Sequence, residues 1–513
     1  MPGLVVTTGV RVGSTGTADA PSSSFFVAGT AERGPTDDYR QIRSVGEFES
    51  IYGEYDSTAT LHQHLQTFFE EGGTQAYVIR VVGTSAAAAS AITFKDGGAN
   101  SGSTSVTVSP VGAGSWAQNL AVTVYEGVIS GTVRVKVTYK SETVYISGDL
   151  STNKEIAEAL EAGAGNYVTA SYNDAANLAY ATGGVTKTFS GGNHQNGSVT
   201  DAQLVSALDS FVPELGAGVV AIPGTDSISR MTETIWDGLQ AHAIANNRIA
   251  FTSFAYNSAH TPSTSLAAAK TFLLDGEGSR ADGSYYGDTD AFKTDASVVG
   301  AYWPHVQIPN GTGGTRIISP ESFAAAARAR AHVQVGPWRP GAGLISASKF
   351  ATSLVFPVNS VVGAEANDAR VNALRVIDGG VRVYGARSIS ADETNWRYIT
   401  FRDVINYVVV QASARLEPFV FGVIDSRNTL FGSISAALVN LLEPLRRAGG
   451  IYEGRDAKGN ITDRGYTVEV SDALNPTQQL AEGTVTAKVG LRVSSVGETV
   501  NLIITKSGLT TAV

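Results

Sequence analysis

The chain changes its hydrophobic rhythm several times, and each change marks a unit. "FFVAGTAERG", from Phe25, opens with four consecutive apolar residues, as a strand covered on both faces does. "SVGEFESIYG" and "TLHQHLQTFFEEGG" space their apolar residues for two helices, the second ending at Gly72-Gly73. "AYVIRVVG" returns to a buried strand, so residues 25–83 read as a compact α/β unit. From Thr84 to Asn193 alternation takes over in "TSVTVSP", "LAVTVYEG" and "TVRVKVTYKSETVYIS", amid Ala, Gly, Ser and Thr with frequent turn signals. This stretch is expected to be an inserted, mostly β domain.

Helix and strand alternate again from Ser198. Helices are predicted over "DAQLVSALDSFVPEL", "SRMTETIWDGLQAHAIANN", "TSLAAAKTFLLDG" and "SPESFAAAARARAHV", and strands over "AGVVAIPG", "RIAFTSFAY" and "ASVVGAYWPHVQI". That order predicts a largely parallel sheet flanked by helices. From Asn395 the helices "WRYITFRDVINYVVVQASARL" and "RNTLFGSISAALVNLLEPLRRAGG" precede the strands "GYTVEVS", "TVTAKVGLRV" and "TVNLIITKS", an α+β pattern. The fold class expected is α/β and α+β multidomain. Its parts are an N-terminal arm (1–24), the first part of the α/β core (25–83), the inserted domain (84–193), an α/β middle domain (194–364), a C-terminal α+β domain (365–498) and a C-terminal arm (499–513).

The two ends share a character. Leu4, Val5, Val6, Thr7 and Thr8 are β-prone, but a Gly/Ser/Thr/Ala-rich run from Gly13 to Ser24 separates them from the first strong apolar segment. At the other end, Val500, Leu502 and Ile504 alternate with Asn501, Ile503 and Thr505, which lays one apolar face against a sheet. A strand this short needs a sheet to join. It either folds back on its own domain or pairs with another chain.

Composition narrows the classes. With 43% hydrophobic and 16% charged residues among 513, the chain is globular with real cores. It has no cysteine, which excludes a disulfide framework and thiol chemistry and suits a reducing cytoplasm. No basic-then-apolar leader and no apolar run of membrane-spanning length are present, so neither a secretory signal nor membrane insertion is expected. The net charge of −10 argues against direct nucleic-acid binding. Residues 365–513 carry 16 basic and 16 acidic side chains, so the other 364 residues hold the whole excess. Within 370–447, ten arginines face seven acids, a mildly cationic region in an acidic protein.

Chemistry-bearing motifs fail on inspection. "GTSAA" at Gly83–Ala87 is close to a subtilisin-type nucleophile motif, but only His62 and His64 precede Ser85, and 84 residues cannot hold that catalytic domain. "GAGVVA" at Gly216–Ala221 matches a dinucleotide pattern yet follows a helix and opens a strand, the reverse of what phosphate binding needs. No Walker loop is present. His62 and His64 point about 200° apart on a helix and cannot readily share a metal. Asp282, Asp288 and Asp290 lack the spacing of an EF-hand. No catalytic residue, cofactor or metal is expected.

Several segments, in order, carry a resemblance. "GSWAQNLAVTVYEG" at Gly114–Gly127, "VVAIPG" at Val219–Gly224, "SVVGAYWPHVQI" at Ser297–Ile308 and "GPWRPGAG" at Gly336–Gly343 resemble motifs of the contractile bacteriophage tail sheath proteins. The most specific is "LRVIDGGVRVYGARSIS…NWRYITFRDVINYV" at Leu374–Val408, similar to that family's Val-Trp-Gly-Ala-Arg-Thr strand and its Trp-Arg-Tyr-Ile-x-x-Arg-Arg motif. Departures are Ala117-Gln118 for Gly-Asn, Asp403 for the second Arg, and "FGVIDSRN" for an entry through Glu-Pro-Asn. The resemblance implies a middle domain of subtilisin-like topology without enzymatic activity, an insertion on the outside of the assembly, and arms that add strands to neighbouring subunits. Leu4–Thr8 and Val500–Thr505 would be those arms. It further implies hexameric rings stacked into a helical sleeve around a tail tube, with baseplate and tail terminator proteins as further partners. Location in the virion after assembly in the host cytoplasm is implied too, as is contraction that drives the tube through a bacterial envelope. Arg427, Arg446 and Arg447 would face the tube. The alternatives are the sheath of a phage-derived injection system or tailocin and, from another class, a subtilisin-like hydrolase.

Overall fold

A computed structural model describes residues 22–97, 100–179, 183–230, 232–275 and 296–499. Its centre is an eight-stranded sheet. In chain order its strands are β1 (Ser24–Gly29), β2 (Arg40–Ile42), β3 (Ala76–Arg80), β4 (Gly218–Ala221), β5 (Ile249–Ser253), β6 (Val299–Trp303), β7 (Val371–Ile377) and β8 (Gly380–Val383). They lie in the spatial order β2-β3-β1-β4-β5-β6-β7-β8. The six strands from β3 to β7 are parallel, and β2 and β8 close the two edges antiparallel. The largely parallel sheet expected from helix–strand alternation is there. Its strands are apolar runs because helices cover both faces.

The α-helices of seven or more described residues are α1 (Val45–Tyr52), α2 (Leu61–Glu70), α3 (Asn153–Ala164), α4 (Asp201–Ala207), α5 (Glu233–Ala245), α6 (Pro262–Lys270), α7 (Glu321–Gln334), α8 (Ser360–Asp368), α9 (Ile399–Leu416) and α10 (Thr429–Arg447). Ser44, Thr152, Thr200, Thr232, Thr261 and Asn359 cap six of them by accepting from a backbone N–H of the first turn. Helix α7 is buried from Glu321 to His332, and its alanines allow close approach to the neighbouring layers. Glu71, fully buried at the end of α2, accepts from the backbone N–H groups of Lys349, Phe350 and Ala351 at 2.8–2.9 Å, so its charge is spread over three donors.

Three separate apolar cores follow from this layout. The first fills both faces of the central sheet, from Phe25 to Ile399. The second lies wholly within residues 89–189, between a three-stranded and a four-stranded antiparallel sheet with α3 packed against them. The third joins α9, α10 and the strands Tyr466–Glu469 and Lys488–Leu491.

Three expectations change. The run Ser297–Ile308 is two strands, because the chain turns at Pro304 and the second strand, Val306–Pro309, joins a small sheet with Thr315–Ile318 and Ser353–Leu354. Ser22–Ser24, placed with the N-terminal arm, belong to the body: Ser24 is the first residue of β1. The central sheet also continues past residue 364 through β7 and β8, and the separate third core starts at Val404.

Candidate assembly surface

The arm residues Leu4–Thr8 and Val500–Thr505 lie outside the described residues, as do Asp282, Asp288 and Asp290. Tyr466–Glu469 (β9) and Lys488–Leu491 (β10) form an antiparallel ladder with only each other as partner among the described residues. Beyond β10, Val493 bridges to Ile451, which ties the ladder to the end of α10. A two-stranded ribbon is marginal alone. Here Tyr466 reaches the third core, and its hydroxyl donates to Glu443 at 3.0 Å. Among the described residues no further strand pairs with either outer edge, and an open edge is a template for another strand.

Helix α10 is amphipathic. Phe431, Ile434, Leu438, Leu441, Leu442 and Leu445 face inward. The opposite face carries Gly432, Ala436 and Asn440, so exposed charge is confined to the two ends. Arg427 is exposed just before the helix. Arg446 is drawn inward: it donates to Glu443 and Glu453 and keeps 12% of its side chain exposed. Those donors hold the Glu443 carboxyl far below the usual carboxylate range, led by the Arg446 hydrogen bond. Arg447 also reaches Glu443, at 3.1 Å, but remains 74% exposed. The three candidate arginines are therefore not equivalent: Arg446 is committed to the fold. In the loop before α10, Phe421 and Val423 are 83% and 82% exposed, an apolar tip that sequence reading did not single out.

The buried polar groups hold structure. His64 Nδ1 lies 2.9 Å from Ser322 Oγ, an arrangement with the look of a catalytic pair. Both side chains are completely buried, and His64 Nε2 is 2.6 Å from the Gly224 carbonyl, so the ring donates there and accepts from the serine. Burial lowers its pKa to about 4, which keeps the ring neutral. His62 turns the other way, to Glu49 at 2.8 Å. Ser85 is exposed and has no hydrogen bond to a histidine among the described residues. No group of three or more metal-ligating side chains occurs among the described residues, and no helix there is long and apolar enough to cross a membrane.

No protein-family model matches the chain, and no curated protein sequence matches it. Solved structures do. The contracted helical sheath of the anti-feeding prophage is 15% identical, with 99% of both chains covered and a TM-score of 0.52. The PVC sheath of an extracellular contractile injection system, also contracted, is 14% identical over 99% of this chain and 98% of that one, with a TM-score of 0.53. The sheath tail protein of Listeria innocua is 14% identical over 90% of each chain, with a TM-score of 0.57. Over almost its whole length, this chain has the fold of contractile tail sheath proteins.

Proposed function

We propose that the protein is the structural subunit of a contractile sheath. It polymerises as hexameric rings into a helical sleeve around a tail tube, and contracts to drive the tube through a bacterial envelope. The observation that carries this reading is the likeness to sheath subunits over nearly all of both chains, inserted domain and C-terminal domain included. The open ladder β9–β10 supports it, because it offers a receiving edge for arms such as Leu4–Thr8 and Val500–Thr505. Each ladder hydrogen bond nets about 0.5–1.5 kcal/mol. One arm is therefore weak, and many arms in a sleeve are strong. Contraction would draw on new contacts between subunits, with no nucleotide consumed. Tube, baseplate and tail terminator proteins are the partners this reading requires.

Between a phage tail and a phage-derived injection particle, the two injection-system sheaths among the similar structures favour the second setting. A hydrolase is disfavoured by the burial of His64 and Ser322. Negative-stain electron microscopy of the purified full chain is the test. Striated sleeves or tubes are expected; uniform small particles that hydrolyse esters would overturn the reading.

A further inference from the structure

Both ends of the described body are held by ionic groups, buried at the N-terminal end and partly buried at the C-terminal end, that meet at one helix. At the N-terminal end, Arg328 Nη1 donates to the Ser22 carbonyl at 2.7 Å, and Ser22 Oγ lies 3.0 Å from His332 Nδ1. Asp403 on α9 fixes both partners: each of its oxygens is 3.1 Å from Arg328 Nε, and His332 Nε2 faces it at 3.5 Å. At the C-terminal end, Glu498 accepts from Arg387 Nε at 3.0 Å and Nη2 at 2.9 Å, and from the Tyr398 hydroxyl at 3.3 Å. Arg387 is itself held, donating from Nη1 to the Asn367 carbonyl at 2.8 Å. Tyr398 is the N-cap of α9 and Asp403 stands in its second turn, about 7.5 Å further along the axis at 1.5 Å per residue.

We propose that the first turns of α9 are a common anchor for the two terminal segments. Without the Ser22 contacts, the next hold on the N-terminal segment is β1 itself, in register with Gly218 from Ser24 and bonded from Phe25 N–H to the Gln75 carbonyl, so a pull would act directly on that strand. With them, the pull passes through Arg328 to Asp403 and into a helix that starts in the central core at Ile399 and enters the third core at Val404. Charge-assisted hydrogen bonds suit this task, being short and oriented. That a pull exists rests on the sheath reading; the anchoring itself does not.

The chain has no cysteine, so single spin labels at Ala20→Cys and Thr499→Cys report each root without background. In the full-length protein, Asp403→Asn should raise label mobility at residue 20 severalfold and leave residue 499 unchanged, and Glu498→Gln should do the converse. His332→Phe, which keeps volume and removes both ring nitrogens, replaces Asp403→Asn if the buried carboxylate is needed for folding. A folded variant whose own root shows the same label mobility as the unaltered protein overturns the anchor. So does one that loosens both roots together with a general loss of thermal stability. If the unaltered protein forms no sleeves, the sheath reading falls while the label mobilities still decide the anchor.

Discussion

The Arg33 guanidinium lies 4.1 Å from the ring centre of Tyr167, joining the central body to the inserted domain. Around the same cation stand Tyr139 and Trp116, with centroids at 5.6 and 6.0 Å. Arg33 also donates to the carbonyls of Glu49, Ser50 and Ile51 on one side and Asn166 on the other. Arg80 repeats the pattern between Gly34 and Ala113. At this joint Gly112, with φ +75°, passes so close to the Gly34 carbonyl that a β-carbon would stand 2.2 Å from it.

Arg33→Ala should therefore unfasten the insertion. The expected cost is about 2–4 kcal/mol, because the substitution removes the charge-assisted hydrogen bonds and the cation–π attraction in one step. Calorimetry should show the inserted domain melting in a transition of its own, ahead of the body.

Excision of residues 84–193 is expected to leave a folded body that still assembles. Gly83 N–H already donates to the His194 carbonyl at 3.2 Å, so the cut ends are adjacent, and the second core leaves as a whole. A soluble, folded truncation that never forms sleeves would show that the insertion takes part in assembly.

Charge reversal separates the arginines at the ends of α10. Arg427→Glu with Arg447→Glu should weaken sheath on tube, the more so at low salt where exposed charges are least screened, without altering the thermal midpoint. Arg446→Glu should instead destabilise the isolated subunit, because Glu443 and Glu453 would then face a third acid. Co-sedimentation with tube and thermal unfolding of the subunit distinguish the two effects.

Acid should destabilise the protein well above the usual carboxylate range. Burial holds His64 at about 4 and His242 and His305 at about 3 in the folded state, against 6.5 unfolded. As pH falls from 6.5 towards 4 the unfolded chain gains protons that the folded one refuses, so stability is lost. Buried Glu321 works against this trend. Burial pushes it up to about 7 from 4.5, so between those values the folded chain keeps a proton the unfolded one releases, and its contribution weakens as pH rises. Three histidines outweigh one carboxyl, and stability should rise from pH 4 to 6.5. Glu321→Gln should steepen that rise in urea denaturation series; an unchanged slope would remove Glu321 from the account.

Deletion of residues 1–20, or Val6→Pro, should leave the subunit's melting unchanged while sleeve yield collapses. Proline removes an N–H and breaks a ladder bond if that N–H is paired. A large fall in subunit stability would mean that the segment pairs within its own chain.

The apolar rhythm makes the central sheet legible because buried parallel strands are continuous runs, as in Phe25–Ala28 and Val219–Ile222. Helix α3 is harder to see. Thr152 caps it, and Ile156, Leu160 and Ala164 recur at helical spacing, but they stand in a stretch dominated by strand alternation. The break at Pro304 is in view, since proline sits poorly within a central strand. What no local pattern contains is pairing across distance. Asp403 reads as a departure from a family motif, and its meaning lies in Arg328 and His332 on another helix. Arg446 likewise looks like a free helix-end cation until Glu443 and Glu453 are seen to hold it.

The ribbon β9–β10 has a consequence for handling the isolated protein. It presents four rungs, Tyr466–Leu491 through Glu469–Lys488, too few to hold a foreign strand for long. Random encounters between free subunits should then dissolve before a third can join, and growth should wait for a seed that offers several edges at once. Purified material would form sleeves only after a lag that shortens steeply with concentration and vanishes when a preformed ring is added.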